Sequence, residues 1–67
     1  MNAGVRNQFS ASITEIKKGD VMSQVTAKIG EQSVTSVMTT DSVNEAGFKE
    51  GDPVSVLIKA VHVLMVK

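Results

Sequence analysis

The residues best suited to chemistry in this sequence are cations and hydroxyls at the ends of predicted structural elements. Arg6 precedes the first predicted strand, and Lys59 lies near the end of the fourth. Thr39, Thr40 and Ser42 surround the start of a predicted short helix, where free N–H groups and hydroxyls can donate hydrogen bonds. These groups together suit a small tetrahedral dianion, since Arg and Lys neutralise its charge. Helix capping and solvated strand ends use the same residue types, so the residue types alone favour that ordinary explanation.

Enzyme motifs are missing from the sequence. It has no phosphate-binding glycine loop, no Walker loop and no nucleophile elbow. The acidic residues that could form a catalytic pair lie in turn-like contexts, which favours solvated charges. These residues are Asp20, Glu31, Glu50 and Asp52. With no cysteine and only one histidine, His62, we expect a binding protein, not an enzyme, and no metal ion held directly by side chains.

Length and charge restrict the partners of the chain. Its 67 residues make one domain at most, spanning residues 1–67, and domains of ~60 residues bury only about 60% of their unfolded surface. Because disulfides are excluded, association with further copies is the expected source of stability. Seven Lys and Arg residues balance seven Asp and Glu residues, which argues against nucleic-acid binding and against a polybasic membrane anchor.

Neither a membrane span nor a secretion signal is predicted. The longest apolar run covers residues 63–66, far below the ~20 residues of a transmembrane helix. The first four residues include no basic and apolar regions of the kind that a secretion signal needs. A cytoplasmic protein is therefore expected.

β-branched side chains set the predicted fold class, which is mainly β. Eleven Val, four Ile and five Thr residues suit the pleated surface of a sheet. Alternating polarity and turn residues predict strands at residues 8–17, 21–29, 32–39, 54–60 and 62–66. The phase of alternation slips between Ile13 and Ile16, which predicts a bulge in the first strand.

A short helix is predicted between the third and fourth strands. Thr40 or Asp41 would be its N-cap, Ser42 and Glu45 could form a capping box, and Gly47 would end it. Three strands, a helix and two strands in this order predict a five-stranded OB-type barrel. A small SH3-like barrel is the nearest alternative.

Four segments of the sequence form a pattern at fixed spacing. They are Arg6-Asn7-Gln8, residues 35–43 (TSVMTTDSV), residues 47–51 (GFKEG), and residues 57–63 (LIKAVHV). Together, and in register over essentially the whole chain, they resemble the molbindin (Mop) family of molybdate-binding proteins. The resemblance implies a five-stranded OB-type barrel assembled as a hexamer, a trimer of dimers. It also implies that molybdate, and usually tungstate, binds where subunits meet, with no organic cofactor, in a cytoplasmic protein that stores molybdenum.

The resemblance assigns the anion contacts one position at a time. Arg6 matches the family's arginine, and Lys59 matches its lysine in the fourth strand. Thr39 and Ser42 match the hydroxyls ahead of the short helix, and Ala60 matches a position that contributes its backbone N–H. These residues are therefore the expected binding site.

Two positions depart from the family pattern. Gly4 stands where the family usually has Ser, so the expected contact there is reduced to a main-chain donor. Val61 stands where many members have Thr or Ser, which alters any secondary site near the symmetry axes.

Two functions of other classes stay open at this point. An OB-fold module that binds nucleic acid is one, although zero net charge and only two aromatic residues count against it. A purely structural oligomerisation module is the other, and it would form a hexamer that is indifferent to oxyanions.

Overall fold

β-branched and small side chains build an antiparallel sheet, which the computed structural model describes for residues 6–67. The strands are β1 (Asn7–Lys18), β2 (Met22–Ile29), β3 (Gln32–Thr39) and β4 (Pro53–Ile58), and helix α1 (Thr40–Ala46) connects β3 to β4. The strand order is β3-β2-β1-β4, so β3 and β4 form the two edges of the sheet. The mainly β class, the first four strands and the position of the helix are confirmed.

Strand β1 pairs with two neighbours because a bulge bends it midway. Residues 7–12 pair with β4, and residues 12–18 pair with β2. The register with β2 shifts between Ile13 and Glu15, which confirms the predicted bulge. Ile13 and Ile16 both reach the same apolar cluster, since the shift restores the facing of the second half of the strand.

The core of the chain is small and centres on helix α1. Val43 projects from the helix and is only 1% exposed, and it packs against Ile13 and Val25. Phe48, in the loop after the helix, packs against the same cluster. Backbone bonds between Ile13 and residues 51 and 52 fasten that loop to β1. The helix is therefore held in place by apolar packing on its inner face.

Replacement of Val43 by alanine is expected to destabilise the fold by about 2 kcal/mol, because it removes buried methyl groups and leaves a cavity. In a domain of this size that loss lowers the melting temperature by about 10 °C. Thermal unfolding at one fixed protein concentration measures it. Val21→Ala is the matched control, since Val21 is 72% exposed. Equal melting temperatures for the two variants would contradict the assignment of Val43 to the core.

Helix α1 begins one or two residues earlier than predicted, depending on whether Thr40 or Asp41 is taken as the expected N-cap. Thr39 is the N-cap, with extended backbone, and its Oγ1 accepts the Ser42 N–H at 3.1 Å. The expectation of Thr40 or Asp41 as N-cap was wrong because the Thr40 hydroxyl and N–H are both used by the turn between β1 and β2. Gly47 ends the helix in the left-handed region, with φ at 70°, as predicted.

The fifth strand of the expected barrel does not form within one chain. Strand β4 ends at Ile58, two residues earlier than predicted, and a 3-10 turn occupies Ala60–His62. The following segment, residues 63–67, is exposed, with Leu64 and Met65 at 86% and 88% exposure. We call residues 63–67 the C-terminal segment. Its apolar pattern suits a strand, but it pairs with no strand among residues 6–67.

The sheet consequently stays open between β3 and β4. A cavity of about 280 Å³ occupies this gap, with Val34 and Met38 on the β3 side and Val54, Val56 and Ile58 on the β4 side. Neither helical segment among residues 6–67 has the length and apolar character needed to span a bilayer.

Candidate functional site

Arg6 and Lys59 flank the last residue pair of the β1–β4 ladder, at one end of the sheet. The register pairs Asn7 with Ile58, so that Arg6 directly precedes and Lys59 directly follows this pair in the chain. The Asn7 side chain donates from Nδ2 to the Ile58 carbonyl at 3.1 Å, which fastens this end of the ladder. We call Arg6 and Lys59 the cation pair.

The cation pair is not neutralised by any acidic side chain among residues 6–67. The salt bridge in this part of the chain joins Lys17 to Glu15, which are elsewhere on β1. Two like charges held near the same end of a sheet repel each other. A bound anion between the two side chains would remove that repulsion.

Backbone donors lie next to the cation pair. Lys59 precedes the 3-10 turn, and Ala60 is its first residue. The carbonyls of Lys59 and Ala60 accept the N–H groups of His62 and Val63 at 2.9 and 3.2 Å. Among residues 6–67, the Ala60 N–H donates to no acceptor. Gly4 lies outside the described residues.

Thr39 and Ser42 form a second cluster, which we call the hydroxyl pair. Thr39 Oγ1 donates to Ser42 Oγ at 2.7 Å and accepts the Ser42 N–H at 3.1 Å. A hydroxyl carries one hydrogen, so that of Thr39 is already committed. The Ser42 hydroxyl donates to no acceptor among residues 6–67. Ser42 is therefore the member of the pair that can donate to an outside anion.

The structure keeps the cation pair and the hydroxyl pair apart. Thr39 pairs with Met22 at the end of the sheet where β1 finishes, whereas the cation pair lies where β1 begins. The helix that carries Ser42 packs against Ile13, and β1 continues for six residues from Ile13 to Asn7, which lies next to the cation pair. At about 3.3 Å per residue this is about 20 Å, too far for one tetrahedral anion to contact both pairs. The structure thus divides the predicted site residues between two places, which we call the two halves.

Sequence reasoning grouped Thr40 with the anion-binding hydroxyls, but the structure gives it a different environment. Its Oγ1 donates to the Gly19 carbonyl at 2.7 Å and lies 2.7 Å from Ser23 Oγ. Ser23, which is 2% exposed, was not selected from the sequence as a site residue. The available signal was a serine at a core-facing position of β2, between apolar neighbours on the same face.

Metal coordination by side chains finds no support in the described part of the chain. No group of three or more His, Asp or Glu side chains among residues 6–67 is arranged to hold a metal ion. The groups gathered at the two halves are cations, hydroxyls and backbone N–H donors, and these recognise oxygen anions.

Comparisons with known proteins point to one group. Residues 4–65 match the family description "TOBE domain". Molybdenum-pterin-binding proteins 1, 2 and 3 of Clostridium pasteurianum are each 35% identical to this chain over 66 residues, which is 97% of either chain. A molybdate-binding protein from Sporomusa ovata superposes with a TM-score of 0.94 at 31% identity, over 100% of both chains. MopII from Clostridium pasteurianum superposes with a TM-score of 0.89 at 34% identity, over 94% of this chain and 96% of that one.

Proposed function

This chain belongs to the TOBE domain family, among its molbindin (Mop) proteins, and from that premise we propose that it binds molybdate reversibly, at sites shared between copies. The observation that carries the proposal is the cation pair, two positive side chains at the same end of the sheet with no acidic partner among the described residues. The relatives named above as molybdate-binding or molybdenum-pterin-binding support the same ligand.

The charges and donors of the two halves suit molybdate. Molybdate is a tetrahedral dianion, so Arg6 and Lys59 balance its charge when it leaves water. Its oxygens still require hydrogen-bond donors, because burial of an unpaired polar group costs several kcal/mol. The Ala60 N–H and the Ser42 hydroxyl provide such donors. A fixed ring of donors would reach the long metal–oxygen bonds of molybdate or tungstate and would fit the smaller sulfate poorly.

A site shared between copies follows from the separation of the halves. One copy would supply the cation pair with the Ala60 N–H, and another would supply the hydroxyl pair. Each half alone leaves part of the anion in contact with solvent. The complete shell of donors therefore forms only where the two halves of different copies meet.

The open sheet suggests how the copies associate. The C-terminal segment exposes Val63, Leu64, Met65 and Val66, and the cavity between β3 and β4 is lined by apolar side chains. We infer that this segment of one copy pairs in the gap of another and completes a five-stranded barrel, within a hexamer built as a trimer of dimers. Burial of this apolar surface would add the stability that a domain of this size needs.

The proposed role is storage and buffering of molybdenum in the cytoplasm, with tungstate as a second ligand. Binding is reversible and involves no catalytic step and no organic cofactor. Ligand that binds across an interface also stabilises the assembly by mass action.

Calorimetric titration with molybdate tests the proposal, with sulfate as the control anion. We expect saturable heat with molybdate, none with sulfate, and no more than one high-affinity anion per chain. An absence of heat with molybdate would reject the function. Equal heats with the two anions would reject the selectivity.

Replacement of Ser42 by alanine is expected to weaken molybdate binding by roughly 10- to 100-fold, because it removes a hydrogen bond to a charged ligand. The melting temperature should change little, since the backbone N–H of residue 42 still donates its capping hydrogen bond to Thr39 Oγ1. Ser33→Ala, on an exposed serine at the far end of β3, is the matched control. Unchanged affinity in the Ser42 variant would remove this residue from the site.

A further inference from the structure

A chain of hydroxyl groups fastens helix α1 to the turn between β1 and β2. Thr40 Oγ1 donates to the Gly19 carbonyl at 2.7 Å, and its backbone N–H donates to the Val21 carbonyl at 2.8 Å. Ser23 Oγ lies 2.7 Å from the same Thr40 oxygen. Since the single hydroxyl hydrogen of Thr40 goes to Gly19, Ser23 must be the donor to Thr40. The order of donation is therefore Ser23 to Thr40 to Gly19.

A second contact attaches the same face of the helix to the end of β1, directly before that turn. Lys18 Nζ donates to Asn44 Oδ1 at 2.8 Å. Thr40 and Asn44 are four residues apart, so their side chains lie on one face of α1. These contacts hold this face of the helix at Thr40 and at Asn44, while Val43 fastens the helix to the core.

The turn itself is adapted to this contact. A Cβ on Gly19 would come within 2.6 Å of the Met22 carbonyl oxygen, so only glycine allows the turn to close as it does. Ser23 is only 2% exposed, and a buried hydroxyl without a hydrogen-bond partner destabilises the fold. Thr40 supplies that partner only while the helix is docked.

Thr40 lies between the two members of the hydroxyl pair in the chain. We propose that the Ser23–Thr40–Gly19 hydroxyl chain is a positioning device, which holds Thr39 and Ser42 in their donor arrangement before an anion binds. The inference rests on the proposed function, because it concerns the same binding site. A site formed in advance loses less conformational freedom on binding and binds more tightly.

The test compares two replacements of Thr40 by calorimetric titration with molybdate. Thr40→Val keeps the shape of the side chain and removes the hydroxyl, and we expect it to lower the affinity about 2- to 10-fold. Thr40→Ser keeps the hydroxyl and should bind within about twofold of the unmodified chain. Thr26→Val makes the same chemical change on an exposed hydroxyl of β2 and is the matched control.

A second readout separates positioning from stability. Hydrogen exchange of the Ser42 amide in the ligand-free protein should be faster in Thr40→Val than in Thr40→Ser, because the cap loosens. Titration well below the melting temperature of each variant removes any effect of global unfolding. Ser23→Ala removes the buried donor by a different route and should also weaken binding, so it keeps the test decisive if Thr40→Val does not fold.

The outcomes distinguish the two proposals. If the unmodified chain binds molybdate and Thr40→Val binds equally well, the positioning role is wrong and the proposed function stands. If Thr40→Ser is as weak as Thr40→Val, the hydroxyl is not the feature that matters, and the positioning role is again wrong. If the unmodified chain gives no heat with molybdate, the proposed function fails and the positioning role fails with it.

Discussion

Removal of the cation pair is expected to abolish molybdate binding while the protein stays folded. Arg6→Ala and Lys59→Ala each remove charge-assisted hydrogen bonds, which are worth about 1.5–3 kcal/mol, so each should lower the affinity roughly 10- to 100-fold. Together they should lower it by roughly 1000-fold, since neither cation remains to balance the dianion. Titration of the single and double variants with molybdate measures the loss.

Stability is expected to change little in these variants. Both side chains are exposed, and the removal of one relieves repulsion from the other. Lys28→Ala is the matched control, because it removes an exposed lysine away from the cation pair. Lys28 lies on β2, opposite Ser12 of β1 and Ser33 of β3. If Arg6→Ala and Lys59→Ala both retain the affinity of the unmodified chain, the site assignment is wrong.

Charged replacements in the C-terminal segment are expected to separate the copies. The double change Leu64→Asp with Met65→Asp places a carboxylate on each face of the segment, and burial of an unpaired charge costs several kcal/mol. The molar mass should then fall from that of an oligomer toward the 7.1 kDa of one chain. Molybdate binding should disappear as well, since the two halves of the site would no longer meet.

Light scattering or sedimentation equilibrium measures this mass. Val21→Asp makes an equivalent change at another exposed apolar residue, in the turn before β2, and should keep the oligomer. An unchanged mass in the double variant would show that the segment is not the strand that completes the barrel. A mass of one chain for the unmodified protein would reject the shared site altogether.

Local sequence patterns predicted most of the fold, because the features concerned depend on neighbouring residues. The alternation of polarity gave the first four strands to within two residues at each end, and its slip between Ile13 and Ile16 marked the bulge. Gly47 ends the helix because the left-handed region suits glycine. Each of these features is decided within a few positions of the chain.

The two errors have non-local causes. Thr40 satisfies the usual preferences of an N-cap, but the carbonyls of Gly19 and Val21, about twenty residues away, engage its hydroxyl and its N–H. Residues 62–66 have a strand-like apolar pattern, but a pattern shows only that a segment has surfaces to bury. It does not identify the chain against which they are buried.

The residue types of the candidate site come from the sequence, whereas their placement comes from the structure. Residue types and the family resemblance selected the cation pair and the hydroxyl pair. Their separation along β1 depends on the register of the whole sheet, which no short motif records. Ser23 escaped selection for a related reason, since its importance comes from one contact with Thr40.

The division of donors between two ends of the sheet has a consequence for the supply of the anion in the cell. Under the shared arrangement, the amount of anion bound depends on the abundance of the protein more steeply than in direct proportion, because the two halves on one chain are too far apart to enclose the same anion. Dilution or degradation of the protein would then release the bound anion because the oligomer dissociates, without any conformational change within a chain. Synthesis of new chains would increase the amount of bound anion, so the level of gene expression would by itself decide whether the anion is stored or released.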